Sequence, residues 1–217
     1  LGNIRIGTYG GHYVHALESA SGTLDVLGIG AGQFGAWGAL DHRAWMVDAE
    51  AGYQPKILPR LKPWIRAGYY YGSGDGNPND RRHGTFFQIL PTARPFARFP
   101  FFDMMNNEDR FTMLTLRPHK RLVLKSEQHF LRLANRNDLW YAGGGAYQPW
   151  TFGYQSRAGN GARSLANLYD LSSDVTINTH LAATAYYGYA DGKSVVRAIY
   201  PRGRLGHMGY LEVNLKF

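Results

Sequence analysis

The chain has 217 residues, a formal net charge of +8, a mean hydropathy of −0.36 and no cysteine. No run of about 18 apolar residues occurs, so no transmembrane helix is indicated, and disulfides and thiolate metal sites are excluded. A content of 27 Gly, 15 Tyr, 11 Phe and 5 Trp, with little helical periodicity, points to a β protein, read as one domain over residues 1–217.

Residues 4–18 read as a strand broken by Gly10-Gly11, and Ala20-Ser21-Gly22 as a turn. A Gly-rich strand over 23–38 follows, then a short turn at Leu40-Asp41. In 42–54, Trp45, Val47, Ala49, Ala51 and Tyr53 alternate with Met46, Asp48, Glu50 and Gly52, which places the apolar set on one side of a strand and the polar set on the other. Two prolines mark 55–62 as a connection. In the strand 63–73, Ile65, Ala67, Tyr69 and Tyr71 share one face and Arg66 takes the other.

A loop of about 75–107 comes next, longer than a compact soluble domain favours. Residues 109–117 and 121–134 read as a hairpin, with Leu122 and Leu124 opposite Lys125, Glu127 and His129. A bulge near Phe130 is expected to bring Leu131 and Leu133 to the apolar face and to turn Arg132 inward. After a second loop, 135–163, a hairpin over 165–177 and 180–190 carries Asp170, Ser172 and Asp174 opposite Leu171, Val175 and Ile177. A third loop, 191–207, precedes the terminal strand, where Leu211, Val213, Leu215 and Phe217 alternate with Tyr210, Glu212, Asn214 and Lys216.

That gives about nine strands, each near the ~9–11 residues that cross a bilayer at a tilt. Short turns alternate with long loops, and Trp37, Trp45, Tyr53, Trp64, Tyr71 and Tyr189 sit near strand ends as interface girdles do. The reading is a transmembrane antiparallel β-barrel of the bacterial outer membrane, with periplasmic short turns and extracellular long loops. Single-chain bacterial barrels have even strand counts. An odd count, with Leu1 in place of Met and no basic-apolar leader, reads as the C-terminal part of a larger barrel. The aromatic end at Phe217 is the kind of signal the barrel-assembly machinery recognises.

Four segments, GSGDGNPNDRRHGTFFQILPTARPF (72–96), LRLANRNDLWYAGGGA (131–146), LYDLSSDVTINTHLAATAYYGYADG (168–192) and the terminal GYLEVNLKF, resemble the alginate-export family of outer-membrane porins. The resemblance covers roughly residues 62–217. It implies a large monomeric barrel of roughly eighteen strands, of which this chain would supply the C-terminal half. It also implies passive export of an acidic polysaccharide, alginate of the polymannuronate type, through an arginine-rich constriction shaped partly by inward loops.

The residues themselves allow a pathway for an anionic solute. Arg66, Lys125, Arg132 and Lys216 are expected to face the lumen, beside Asp48, Glu50, Glu127, Asp170, Asp174 and Glu212. Arg suits a polyuronate because its planar fork binds a carboxylate bidentately and keeps its charge. A ladder of mutually neutralising charges filling a wet lumen is the plainer alternative. In the 75–107 loop, Arg81, Arg82, Arg94 and Arg98 accompany six Phe residues: Phe86, Phe87, Phe96, Phe99, Phe101 and Phe102. They form either a constriction folded into the barrel mouth or a cap whose arginines face lipopolysaccharide. Lys and Arg are scattered rather than blocked, so no nucleic-acid partner is read from the charge.

No catalytic residue and no cofactor is assigned. Ser126 and His129, three apart on a strand, fall on opposite faces, and no Gly-x-Ser-x-Gly elbow accompanies them. Asp75-Gly76-Asn77 with Asp80 lacks the full spacing of a calcium loop and reads as a turn. The scattered His residues suggest no metal site. A general or aromatic-solute porin, and a structural or adhesive barrel using its Tyr- and Gly-rich loop, are the alternatives to polysaccharide export.

Overall fold

A computed structural model describes residues 3–89, 97–142 and 155–217. Its strands are β1 (Ile4–Glu18), β2 (Gly22–Trp37), β3 (Leu40–Pro55), β4 (Trp64–Gly72), β5 (Arg82–His83), β6 (Asn107–His119), β7 (Leu122–Leu133), β8 (Leu139–Ala142), β9 (Gln155–Ala158), β10 (Ser164–Thr176), β11 (Leu181–Gly192) and β12 (Leu205–Leu215). One short helix, α1 (Ser194–Ile199), lies between β11 and β12. Nine strands make one antiparallel meander in the order β1-β2-β3-β4-β6-β7-β10-β11-β12. The sheet does not close: β1 and β12 are its edges, as in a segment of barrel wall. β5 adds a short parallel pairing to β3, and β8 and β9 form a separate hairpin.

Directly paired residues point to the same side of a sheet, so the registers sort the whole wall into two faces. One carries Trp45, Ile65, Tyr69, Leu114, Leu124, Leu171, Tyr187, Leu211 and Val213, all well exposed. Leu211 is 84% exposed and Tyr9, on the same side of β1, 72%. An apolar surface this continuous belongs against lipid rather than water. The other face is polar where open and buried where loops cover it; we call it the inner face.

The core lies at the loop end of the inner face. Ala44, Met46, Tyr70, Leu131, Leu133, Leu168 and Ala190 of the wall meet Phe86, Phe99 and Phe102 of the loop 73–106, with Trp140 of β8 and Val195 and Val196 of α1. β2 and β3, at 16 residues each, outrun the ~9–11 needed to cross, and the surplus forms part of the wall of this covered end.

Several boundaries differ from the sequence reading. The β2–β3 turn is Gly38-Ala39, not Leu40-Asp41, because Gly38 takes the left-handed φ of 62° that a two-residue hairpin needs. The terminal strand begins at Leu205, inside the expected third loop. Trp37 and Trp64 do not join the outer girdle. Trp37 stacks on the His83 ring at 4.2 Å, and Trp64 shares the inner face with Arg66. The β6–β7 register runs unbroken from Asn107↔Leu133 to Leu116↔Leu124, so β7 has no bulge near Phe130 in that pairing. The irregularity lies instead in β10, between Ser164 and Ala166.

Candidate functional site

The loop 73–106 lies across the inner face. At one end the fully buried Gln33 of β2 grips its backbone: Nε2 donates to the Phe87 carbonyl at 2.7 Å, and Oε1 accepts from the Phe87 N–H at 2.7 Å. Over β4 the Tyr70 hydroxyl donates to the Met104 carbonyl, near the loop's C-terminal end, at 2.8 Å, and the Met104 N–H donates to Gln88 Oε1 at 3.0 Å. Toward the other edge of the sheet the loop backbone at Arg98 and Phe99 lies against Asp170 of β10. Phe99 seats over Gly188 of β11 and Gly206 of β12, where an added Cβ would lie 2.9 and 3.0 Å from its ring. The loop thus contacts the wall from β2 to β12.

A second loop locks onto the first. Asp138 accepts from the Asp75 N–H at 2.8 Å and the Thr85 hydroxyl at 2.6 Å through one oxygen, and from the Leu139 N–H and the Tyr141 hydroxyl through the other. Burial pushes its carboxyl above the usual carboxylate range. Asn106, at a left-handed φ of 50° that Asn tolerates, donates to the carbonyls of Asn135 and Leu139. Burial also raises Asp103 to about 8; its Oδ1 accepts from the Met105 N–H and its Oδ2 meets no hydrogen-bond partner among the described residues. The Asp75-to-Asp80 stretch is a chain of side-chain-capped turns: Asp75 caps the Asn77 N–H, Asn77 that of Asn79, and Asp80 that of Arg82.

The charged residues divide clearly. Arg66 sits on the inner face and is already engaged: it bridges Asp25 of β2 and Glu50 of β3, and its guanidinium lies 4.4 Å from the Trp64 ring centre. Trp64 in turn donates to Asp25 at 2.9 Å. Lys125, Glu127, Asp170 and Asp174 face inward from β7 and β10, Asp48 from β3 and Glu212 from β12. Arg98 enters from the loop, 4.0 Å from Asp174 and 5.8 Å from the centre of the Tyr186 ring. Asp174 accepts from the Thr184 hydroxyl at 2.7 Å. Lys216 follows the end of β12, outside the paired strand.

Arg132 does not point inward. It pairs across from Glu108, on the outer face at the loop end, and contacts that carboxylate at 3.2 Å. Arg163 holds the same carboxylate at 3.0 Å. Without a bulge in β7 the parity that buries Leu131 and Leu133 sends Arg132 outward. Arg81 and Arg82 are exposed beside the β2–β3 turn, where the Arg81 carbonyl accepts from the Asp41 N–H and Arg82 pairs across from Asp41. Arg94 and Phe96 lie outside the described residues.

Inner-face acids outnumber bases on the described strands: Asp25, Asp48, Glu50, Asp109, Glu127, Asp170, Asp174 and Glu212 stand against Arg66 and Lys125. Much of the positive charge lies at the two ends. Lys56, Arg60, Lys62, Arg117, Lys120 and Arg121 gather at the short turns, and Arg136, Arg157, Lys193, Arg197, Arg202 and Arg204 at the loop end.

Sequence reasoning missed Gln33, Asp25 and Asp109. Each pairs with a residue far along the chain, and register alone reveals them. It also missed that His129 joins Glu127 and Asp170, with candidate ligand atoms within 4.8 Å of one another. Ser126 and His129 lie on opposite faces, as their spacing dictates. A groove of about 880 Å³ opens on the other side of the wall, among Leu114, Leu124, Leu171, Ala185 and Leu211. Its lining is mostly apolar and outward-facing, with Lys125 as its one charged member.

The model of the family described as alginate export matches residues 15–193. The chain belongs to the alginate-export family. A search of curated proteins returned no match. The family is one of outer-membrane export porins, and the antiparallel wall with its apolar outer face is what that membership requires. The match begins near the end of β1, so it covers the Gly-rich strand β2, which the sequence resemblance left uncovered.

Proposed function

We propose that this alginate-export member forms part of the wall of a passive outer-membrane channel for an anionic polysaccharide of the alginate type, narrowed by the 73–106 loop. The observation that carries this reading is that loop's course, anchored at Gln33 on one side and at Asp170 on the other, with Arg98 brought onto the inner face beside Tyr186. A polyuronate would meet cationic rims first, then Arg98 and Lys125 at the waist. Acids beside them keep each contact weak, and conduction needs weak, multiple contacts. Arg66, held by two carboxylates, acts as a wall staple that shapes the lumen. Arg81, Arg82 and Arg136 at the loop end would meet lipopolysaccharide phosphates. The outward row Leu211, Val213 and Leu215, with the exposed Phe217, would be read by the barrel-assembly machinery, and deleting Phe217 should lower the yield of inserted protein.

A general porin for polar or aromatic solutes is the second reading, favoured by the excess of acids on the described inner face. Single-channel recording of the natural protein in a planar bilayer separates the two. Under the export reading the current is anion-selective and oligomannuronate blocks it, and Arg98→Glu weakens both properties several-fold. Cation-selective current indifferent to oligomannuronate would sink the export reading and leave the general porin.

A further inference from the structure

Beneath the far anchor of the loop lies a group of side chains that solute transport does not use. His129 of β7 is 1% exposed, and its ring is fixed from one side: Nδ1 lies 2.6 Å from Asp109 Oδ2, and Phe111 stacks on it at 5.6 Å between ring centres. Nδ1 carries the proton in that contact, and in the neutral ring Nε2 keeps a lone pair. That Nε2 is buried and meets no hydrogen-bond partner among the described residues. Asp170 repeats the pattern. The Tyr186 hydroxyl occupies its Oδ1 at 2.8 Å, while its Oδ2 is buried and unpartnered. Glu127 completes the group from the position paired with Asp170, and one candidate ligand atom from each of the three residues lies within 4.8 Å of the other two.

Two open polar atoms on almost fully buried side chains of one cluster, with a second carboxylate beside them, are costly to leave empty. We propose that Glu127, His129 and Asp170 form a binding site for one divalent first-row transition ion, with Asp109 orienting the histidine. Two carboxylates balance the ion's charge and a neutral imidazole supplies nitrogen, a donor set that suits Zn²⁺ or Mn²⁺ better than Mg²⁺ or Ca²⁺. The Asp109–His129 contact is the outer-shell partner that metal-bound histidines carry. Atoms ~2.1 Å from a common ion stand about 3–3.5 Å apart, so binding draws the three groups slightly together. Because the loop backbone at Arg98 and Phe99 lies against Asp170, the ion fastens the wall beneath the loop.

The test is metal analysis of the natural protein, purified from outer membranes in detergent, stripped with chelator and reloaded with Zn²⁺ or Mn²⁺. One tightly held ion per chain is expected, with a higher melting temperature than the stripped protein. His129→Gln and Asp170→Asn each lower the affinity at least 100-fold, and Asp109→Asn lowers it about 10- to 100-fold. His83→Gln, at the other inner histidine pair, leaves it unchanged. Failure of the stripped wild-type protein to take up either ion, or uptake that survives His129→Gln, overturns the proposal and leaves His129 as the cationic partner of three carboxylates. Both readouts are independent of conductance, so the site stands or falls separately from the channel reading.

Discussion

Gln33→Ala tests whether the 73–106 loop is held against the wall by a few specific bonds. Gln33 is fully buried and makes two 2.7 Å hydrogen bonds to the Phe87 backbone, one as donor and one as acceptor. Truncation leaves both Phe87 groups without their partner beneath a covered surface. An unsatisfied buried polar group costs about 1–3 kcal/mol. Water entering the vacated space recovers part of that, so the pair is worth about 2–4 kcal/mol. At about 1.4 kcal/mol per tenfold, the local docked-to-undocked ratio falls roughly 30- to 700-fold. Nearby His42 also loses a partner, since its Nε2 lies 3.3 Å from Gln33 Oε1. Single-channel recordings should then show larger, noisier open levels, and limited proteolysis should cut near Phe87. Gln33→Glu, which keeps the acceptor and loses the donor, should fall between wild type and Ala. Open-level conductance and cleavage both unchanged in Gln33→Ala would refute the idea that this contact positions the loop.

Three further outcomes follow from the same loop and its wall. Asp103 has its folded pKa raised to about 8 by burial, above the ordinary carboxylate value; stability from its protonated form is full below about 4 and is lost as pH rises toward 8. Loop protection against protease should therefore decline from pH 5 to pH 9 in the wild type and stay flat in Asp103→Asn. In Gly72→Ala the new methyl would sit 2.0 Å from the Met104 carbonyl oxygen, a backbone atom, so the loop must shift; the expected cost is about 1–3 kcal/mol, read as a lower melting temperature with the Tyr70-to-Met104 bond strained. Arg66→Ala strips Asp25 and Glu50 of their shared cation and should destabilise the wall by about 3–5 kcal/mol, read by heat-dependent mobility on gels, whereas Arg66→Lys should recover part of the loss.

Legibility in the sequence tracked the physical origin of each feature. The two faces of β3, β4, β10, β11 and β12 were readable because lipid on one side and water or loop on the other impose a strict period of two. The inward Asp48, Glu50, Arg66, Asp170 and Asp174 followed from the same period. Arg132 did not, because two leucines in a row of parity, Leu131 and Leu133, are apolar for a different reason. They pack beneath the loops, not against lipid, and the sequence does not say which apolar partner a residue meets. Trp37 and Trp64 misled for the same cause: aromatic residues near strand ends also stack on His83 or cover an Arg–Asp pair inside. Gly38 was read as the last residue of a strand, so the turn was placed two residues late.

The arrangement of charge carries one more consequence. A chain with a net charge of +8 suggests a cationic lumen, yet many of its arginines and lysines stand at the two ends and the described inner strands lean acidic. Electrostatic attraction at a rim acts over about a Debye length, ~8 Å at physiological ionic strength, so end charges can gather an anionic chain without holding it along its whole path. The inner acids then work on the protein's own cations: Asp25 and Glu50 immobilise Arg66, and Asp174 stands 4.0 Å from Arg98. An arginine shared with a carboxylate binds a passing uronate less tightly than a free one, and release is the step that sets flux through a passive channel. On this argument Asp174→Asn should slow polymer release more than it improves capture. Longer oligomannuronate block times at nearly unchanged block frequency would be the sign of it, and a rise in block frequency alone would place the recognition step at the rims.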